Sequence, residues 1–155
     1  MKTQSAIFVS LLLLFGESRA QQPGLPPEQE KAVQRMSQYQ NIRLVKELPE
    51  PVARLCQNGH LADPGQNWSA TDAIVDLSLP GARLIWAVTA GDYYVVHYET
   101  GGIAHMYHVV VARWIRAERA PSFTWTGTGL PLKDFATFQA ALRSNGAGRR
   151  QGDAY

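Results

Sequence analysis

The sequence of 155 residues has almost no cysteine, almost no net charge and no catalytic signature. Cys56 is the single cysteine, so an internal disulfide is excluded, and a buried, inert thiol is expected at this position. The formal net charge is only +2 and the basic residues are scattered, so binding to a nucleic acid is not expected. The sequence has no Gly-x-Ser-x-Gly elbow, no His-Glu-x-x-His pair and no phosphate loop, and no cofactor is predicted.

The N-terminus has the three-part layout of an export signal. Lys2 supplies a positive charge, residues 6–15 are almost wholly apolar, and small residues flank Arg19 at Ser18 and Ala20. A membrane-spanning helix needs roughly 20 apolar residues, about twice this run, so an integral membrane span is not expected. The pattern therefore predicts cleavage after Ala20 and a periplasmic or secreted mature protein.

The rest of the chain is expected to form a single domain with little else attached. Prolines in residues 21–27 predict an extended leader. The domain is expected over residues 28–146, and residues 147–155 are expected to form a flexible tail. Helical spacing of apolar residues follows Pro27 and recurs over 132–144, and a short second helix is predicted over 50–57. Residues 70–79 fit a strand or a helix, and a helical turn is slightly favoured.

The centre of the chain predicts a three-stranded antiparallel meander. Segments 82–89, 93–99 and 103–115 are rich in apolar, aromatic and β-branched residues, and short turns separate them. A fourth strand is predicted over 122–126. On the first strand Leu84, Trp86 and Val88 are expected to share the core side. Helices on both sides of these strands in the sequence indicate an α+β fold, with the helices packed on one face and the other face open.

The candidate binding residues are Tyr93, His97, Glu99, His105 and Tyr107, all within this meander. Side chains alternate along a strand, so Tyr93, His97 and Glu99 are expected to share one face. An exposed sheet face with aromatic and polar side chains is typical of protein interfaces. Histidine and tyrosine also fit half-buried sheet surfaces with no functional role.

The register of one hairpin decides whether the two histidines meet. A three-residue loop over 100–102 would pair His97 with His105 and bring Glu99 close, which would suit a divalent metal ion. A two-residue Gly101-Gly102 loop would instead pair His97 with Met106 and separate the histidines. Both registers remain open, so no metal is favoured unless the two histidines are paired.

Two other patterns have a functional and an ordinary interpretation. Asp72 and Asp76 would share one face of a helix, and paired carboxylates can catalyse reactions on sugars. Solvated acids on a surface turn are the commoner case. Asn67-Trp68-Ser69 matches a glycosylation sequon, which matters only in a host that modifies exported proteins.

The function favoured by these patterns is a non-catalytic protein-binding or accessory module of the cell envelope, whose partner is another envelope protein. The alternative is a small exported hydrolase or metal-dependent enzyme that uses the histidines of the sheet. A third hypothesis is a self-associating subunit joined through an edge strand over 122–126.

Overall fold

The computed structural model describes residues 24–71 and 76–147, and there the chain forms three α-helices and one five-stranded antiparallel sheet. The α+β class expected from the sequence is confirmed. The export signal, residues 21–23 of the leader, Asp72 and residues 148–155 of the tail lie outside the described residues. The elements are α1 (Pro27–Gln34), β1 (Gln40–Ile42), α2 (Glu50–Ala53), β2 (Ala82–Ala90), β3 (Tyr93–Thr100), β4 (Met106–Arg113), β5 (Phe123–Gly129) and α3 (Phe135–Ala147).

The strands follow one another across the sheet in the order β1-β2-β3-β4-β5. The predicted meander corresponds to β2, β3 and β4, and the predicted fourth strand to β5. The sequence missed β1, because three residues are too few to show alternation. The predicted edge strand is at the edge of the sheet, while self-association through it stays a prediction.

A β-bulge in β2 changes which side chains share a face. Leu84 pairs with Tyr98 and Trp86 with His97, so Ile85 has no partner of its own across the ladder. As a result Leu84 packs in one core, whereas Trp86 and Val88 pack on the opposite side of the sheet. The expectation that all three share one face is therefore wrong.

The hairpin of β3 and β4 has neither register expected from the sequence. Residues 101–105 form a longer connection, and His97 pairs with Val109. Glu99 pairs with Tyr107, while Tyr98 pairs with His108 on the other face. The longer loop starts β4 at Met106, so His105 lies in the connection and not in a strand.

Both faces of the sheet are covered, which corrects the expectation of helices on one face only. Helices α1 and α3 cover the first face, where Phe135 and Phe138 belong to the same core as Val95 and Val109. The segment that contains α2 covers the second face.

On that second face Val52, Cys56 and Leu61 pack with Leu84 and Val96. Burial raises the pKa of the Cys56 thiol to about 12, and the expected buried position is confirmed.

The remaining predicted helices differ from the structure mainly in length. The helix predicted over 50–57 is shorter in the structure: α2 ends at Ala53. It could not have continued through Gln57, because Gln57, Asn58 and Gly59 have positive φ angles of 48°, 54° and 82°. The described parts of segment 70–79 contain neither helix nor strand. Within 24–71 and 76–147, no helix has the length and apolar character needed to cross a bilayer.

Candidate functional site

His97 lies at the centre of the face covered by α1 and α3, and it is fully buried. Its Nδ1 is 2.8 Å from the backbone oxygen of His108, which can only accept, so Nδ1 carries the proton. Its Nε2 then accepts the backbone N–H of Leu132 at 3.1 Å. Burial lowers the pKa of His97, which keeps the ring neutral in this arrangement.

Trp86 completes the attachment of Leu132 to the sheet. Its indole Nε1–H donates to the backbone oxygen of Leu132 at 2.9 Å. Side chains of the sheet therefore bind both backbone polar groups of Leu132, in the segment that leads into α3. We call Trp86, His97 and Leu132 the latch. Both ring nitrogens of His97 are bonded to backbone groups, Nε2 within the latch and Nδ1 at His108, so neither nitrogen is available to a ligand in this arrangement.

Glu99 lies two residues further along the same face and has a different environment. Its carboxylate is 5% exposed, and both of its oxygens have partners. Arg83 donates from Nε to Oε1 at 2.7 Å, and His105 Nε2 is 2.7 Å from Oε2. The Arg83 and His105 side chains remain 34% and 43% exposed. A buried acid thus holds two partly exposed nitrogen-bearing groups at the end of the sheet.

Aromatic rings surround this group of three side chains. The Arg83 guanidinium lies 5.2 Å from the centre of the Trp68 ring, which also meets the His105 ring edge-on at 5.6 Å. The His105 ring stacks on Tyr107 with 4.8 Å between centroids. These contacts limit the motion of the histidine and the arginine.

Gly101 permits the segment that carries Trp68 to approach the β3–β4 connection. A Cβ atom at Gly101 would lie 2.4 Å from the backbone oxygen of Ser69, which no real side chain tolerates. In addition, the Gly102 N–H donates to the backbone oxygen of Ala70 at 3.4 Å. The absence of a side chain at residue 101 therefore helps to place Trp68 beside His105.

Of the five predicted binding residues, the structure brings together Glu99, His105 and Tyr107. Tyr93 instead lies under α1, where its hydroxyl is 2.5 Å from Gln29 Oε1. His97 is buried in the latch. The open sheet face expected from the sequence is therefore not present at these two residues, because α1 and α3 cover it.

His97 and His105, which one hairpin register would have paired, do not meet in the structure. His97 pairs with Val109, and its nitrogens are occupied by backbone groups. In residues 24–71 and 76–147, no three His, Cys, Asp or Glu side chains are grouped so that they could hold a metal ion. Asp76, one of the predicted acid pair, accepts a bond from the Ser78 hydroxyl.

Sequence reasoning missed Trp68 and Arg83, and for Arg83 the reason is the bulge at Ile85. The Gly91-Asp92 turn pairs Ala90 with Tyr93, and an unbroken ladder would extend this register to pair Arg83 with Thr100. The bulge shifts the register by one residue and places Arg83 opposite Glu99. Alternating hydrophobicity in β2 carries no signal for that shift.

Exposed apolar side chains lie at the same end of the sheet. Ile103, in the β3–β4 connection, is 94% exposed, and Met106 at the start of β4 is 44% exposed. Leu130 is 71% exposed and follows Gly129, the residue that pairs with Tyr107. An isolated exposed apolar residue is ordinary, but several at one end of a sheet indicate a binding surface.

No protein-family model, no curated protein and no solved structure matches this chain. The arrangement of its side chains is therefore the basis for a functional inference. Two features distinguish the end of the sheet: the Glu99 carboxylate with its two partners, and the apolar side chains near them.

Proposed function

We propose that the protein is an exported, non-catalytic binding module of the cell envelope that recognises another envelope protein. The observation that carries the proposal is a combination at one end of the sheet: exposed apolar side chains next to an arginine and a histidine held by a buried acid. We call this region the end surface; it consists of Trp68, Arg83, Ile103, His105, Met106 and Leu130.

The composition of the end surface is that of a protein interface. Tryptophan, methionine and arginine are enriched at the centre of such interfaces, and tryptophan and arginine are common among the residues that dominate binding energy. Ile103 and Leu130 contribute little to the folded core, because most of each side chain is in solvent. Their burial by a partner would supply the hydrophobic part of the binding free energy.

The polar groups of the end surface are already fixed before a partner arrives. Glu99 binds Arg83 and His105, so these side chains lose less conformational entropy on association than free ones would. Arg83 uses Nε and Nη2 for Glu99, and the described residues supply no other acceptor to its guanidinium. A carboxylate next to an apolar side chain is therefore the expected feature of the partner.

Export is the second part of the proposal and has a direct test. Its support is the charged, apolar and small-residue layout of residues 1–20. Mass spectrometry of the protein from its own host should give an N-terminus at Gln21. A mature chain that begins at Met1 would contradict export by this signal.

Affinity capture tests the binding function. The full-length precursor, tagged at its C-terminus, is expressed in its own host, and co-purifying proteins are identified by mass spectrometry. We expect one dominant envelope protein with the wild type, and its loss with the double variant Ile103→Asp/Leu130→Asp. Purified partner and purified protein should then form the complex without other components.

Ile115→Asp is the matched control, because Ile115 is also exposed but follows β4 at the opposite end of the sheet. This variant should capture the partner as the wild type does. Equal capture by all three proteins would exclude the end surface. Capture of a second copy of the chain alone would support the self-associating subunit instead.

A small exported hydrolase is the second candidate, and the Glu99–His105 contact favours it. A buried carboxylate that orients one imidazole nitrogen leaves the other nitrogen to accept a proton in acid–base catalysis. The purified protein would then hydrolyse at least one of a panel of chromogenic esters, phosphoesters and glycosides. His105→Ala should abolish that activity, whereas Ile115→Asp should retain it.

A further inference from the structure

A second region with binding chemistry lies at the opposite end of the sheet, beside the β2–β3 turn. It is a cleft of about 520 Å³ between the residues that lead into β1 and the ends of β2 and β3. Small-molecule sites commonly have volumes of roughly 300–1,000 Å³. The residues that line it are Gln38, Tyr39, Gln40, Thr89, Ala90, Gly91 and Tyr94.

The lining of the cleft is polar but carries no acidic, lysine, arginine or histidine side chain. Gln38 and Gln40 each offer two amide donors and one carbonyl acceptor, and the tyrosine hydroxyls can donate or accept. The Thr89 hydroxyl donates to the backbone oxygen of Tyr93 at 3.1 Å and can still accept a bond. Such groups match a ligand rich in neutral hydroxyls. A phosphate or a carboxylate would find no cation among them, and a metal ion no carboxylate or imidazole.

Two tyrosines belong to the lining, and their rings pack on opposite faces of the sheet, so only Tyr94 shares a face with Gln40 and Thr89. The Tyr39 ring meets Phe135 edge-on, with 4.9 Å between centroids and 74° between planes. The Tyr94 ring lies 6.2 Å from the ring of Trp114. Aromatic faces supply apolar contact area to the C–H groups of a sugar ring while its hydroxyls bind polar side chains.

The two glutamines are available for such bonds. Both are exposed, and within the part of the chain that the structure describes neither side-chain amide has a hydrogen-bond partner. Gln40 begins β1 and pairs with Thr89, which brings an amide and a hydroxyl to one wall. Asn41 follows on the same strand, and its side chain is absent from the lining.

The geometry points to a saccharide-binding site: the cleft binds a neutral sugar chain through the Gln38 and Gln40 amides and the ring of Tyr94. This site is separate from the end surface and does not depend on the proposed function. With both sites, the protein would connect a neutral polysaccharide at one end of the sheet to a protein at the other.

Calorimetric titration with defined oligosaccharides tests the site. Chitotetraose, cellotetraose and maltotetraose are the neutral probes, and tetragalacturonate is the anionic comparator. We expect saturable binding of at least one neutral probe and at least tenfold weaker binding by Gln38→Ala/Gln40→Ala. Asn41→Ala should bind within twofold of the wild type. All variants should keep the wild-type melting temperature, because the changed side chains are exposed.

A second measurement does not require variants. In ¹⁵N-labelled wild-type protein, the bound probe should shift the side-chain amide signals of Gln38 and Gln40 and leave that of Asn41 in place. The site is excluded if none of the three neutral probes binds at millimolar concentration. It is also excluded if the double variant binds as the wild type does, or if tetragalacturonate binds more tightly than every neutral probe.

Discussion

The centre and the end of one sheet face use similar side chains for opposite purposes. His97 and Glu99 are two residues apart on β3 and point to the same side. At the centre, under Leu132, His97 binds backbone groups and is shielded from solvent. At the end, Glu99 is buried but binds side chains that reach solvent. The same strand therefore provides one polar group that binds the backbone of the core and another that binds side chains at the surface.

His97 and His105 show that burial under other elements, and not residue type, decides the role of a histidine in this protein. The latch closes over the strand at His97, whereas His105 lies in the connection beyond the end of β3. A buried neutral histidine must satisfy both ring nitrogens, as His97 does. The partly exposed His105 has one nitrogen on Glu99, so its second nitrogen is available for a partner or a substrate.

The largest expected effect is on the centre of the face. His97→Ala should lower the free energy of unfolding by about 3 kcal/mol, because it leaves a cavity and an unpaired Leu132 N–H. His105→Ala should lower it by less than about 1 kcal/mol, since His105 and Arg83 are partly exposed. Urea denaturation measures both. Similar losses for the two histidines would remove the distinction between centre and end.

A substitution of the buried Glu99, at the end of the face, should have an intermediate effect on stability. Glu99→Gln removes the charge that Arg83 contacts, and should cost about 1–2 kcal/mol of unfolding free energy. Glu50→Gln is the matched control, because the Glu50–Arg54 pair is a fully surface-exposed contact within one helical turn. It should cost less than about 0.5 kcal/mol in the same denaturation experiment. If the two variants lose the same unfolding free energy, then the buried Glu99–Arg83 contact stabilises the fold no more than an exposed ion pair does.

The sequence alone predicted the centre of the sheet better than its end. Alternation along β3 placed His97 and Glu99 on one face, and apolar spacing located the strands. The end depends on two irregular features, the bulge at Ile85 and the five-residue connection over 101–105. Each shifts a register without changing the hydrophobic pattern, so the Arg83–Glu99 pairing could not be read from composition or periodicity.

The sequence also did not reveal which elements pack on each face of the sheet. Amphipathic spacing predicted α1 and α3, but it does not say which face of a sheet a helix will cover. The segment from Leu48 to Leu61 packs on the second face with only one turn of α-helix in it. Its contribution is a set of separate apolar side chains and not a helical stripe. Residues without a recognisable period therefore cover the second face, while α1 and α3 cover the face that was expected to be open.

The centre of the face should also make stability depend on pH. Burial lowers the pKa of His97 from its ordinary value of 6.5, and it also lowers the pKa of His108, which lies on the opposite face of the sheet. As the pH falls below about 6.5, the unfolded chain takes up protons that the folded chain does not, so stability decreases. The loss stops once the pH is below the folded-state pKa values.

Denaturation midpoints at several pH values between about 7.5 and 5 test this dependence. Each histidine can add a slope of at most about 1.4 kcal/mol per pH unit. The slope should be shallower in His97→Gln, which has no titrating group at the centre. An unchanged slope in that variant would assign the dependence to other groups.

The smallest expected effect on stability is at Leu130, which is compared with the buried Leu132. Leu130 is 71% exposed and Leu132 is 6% exposed, although one residue lies between them. Leu130→Asn should change the free energy of unfolding by less than about 0.5 kcal/mol, because its side chain contacts mostly water. Leu132→Asn should reduce the free energy of unfolding several times as much as Leu130→Asn, since Leu132 belongs to the core under α3. If Leu130→Asn is as damaging as Leu132→Asn, then Leu130 supports the fold. If it is neutral, the fold does not need this apolar side chain of the end surface, as the proposed role of Leu130 in partner binding requires.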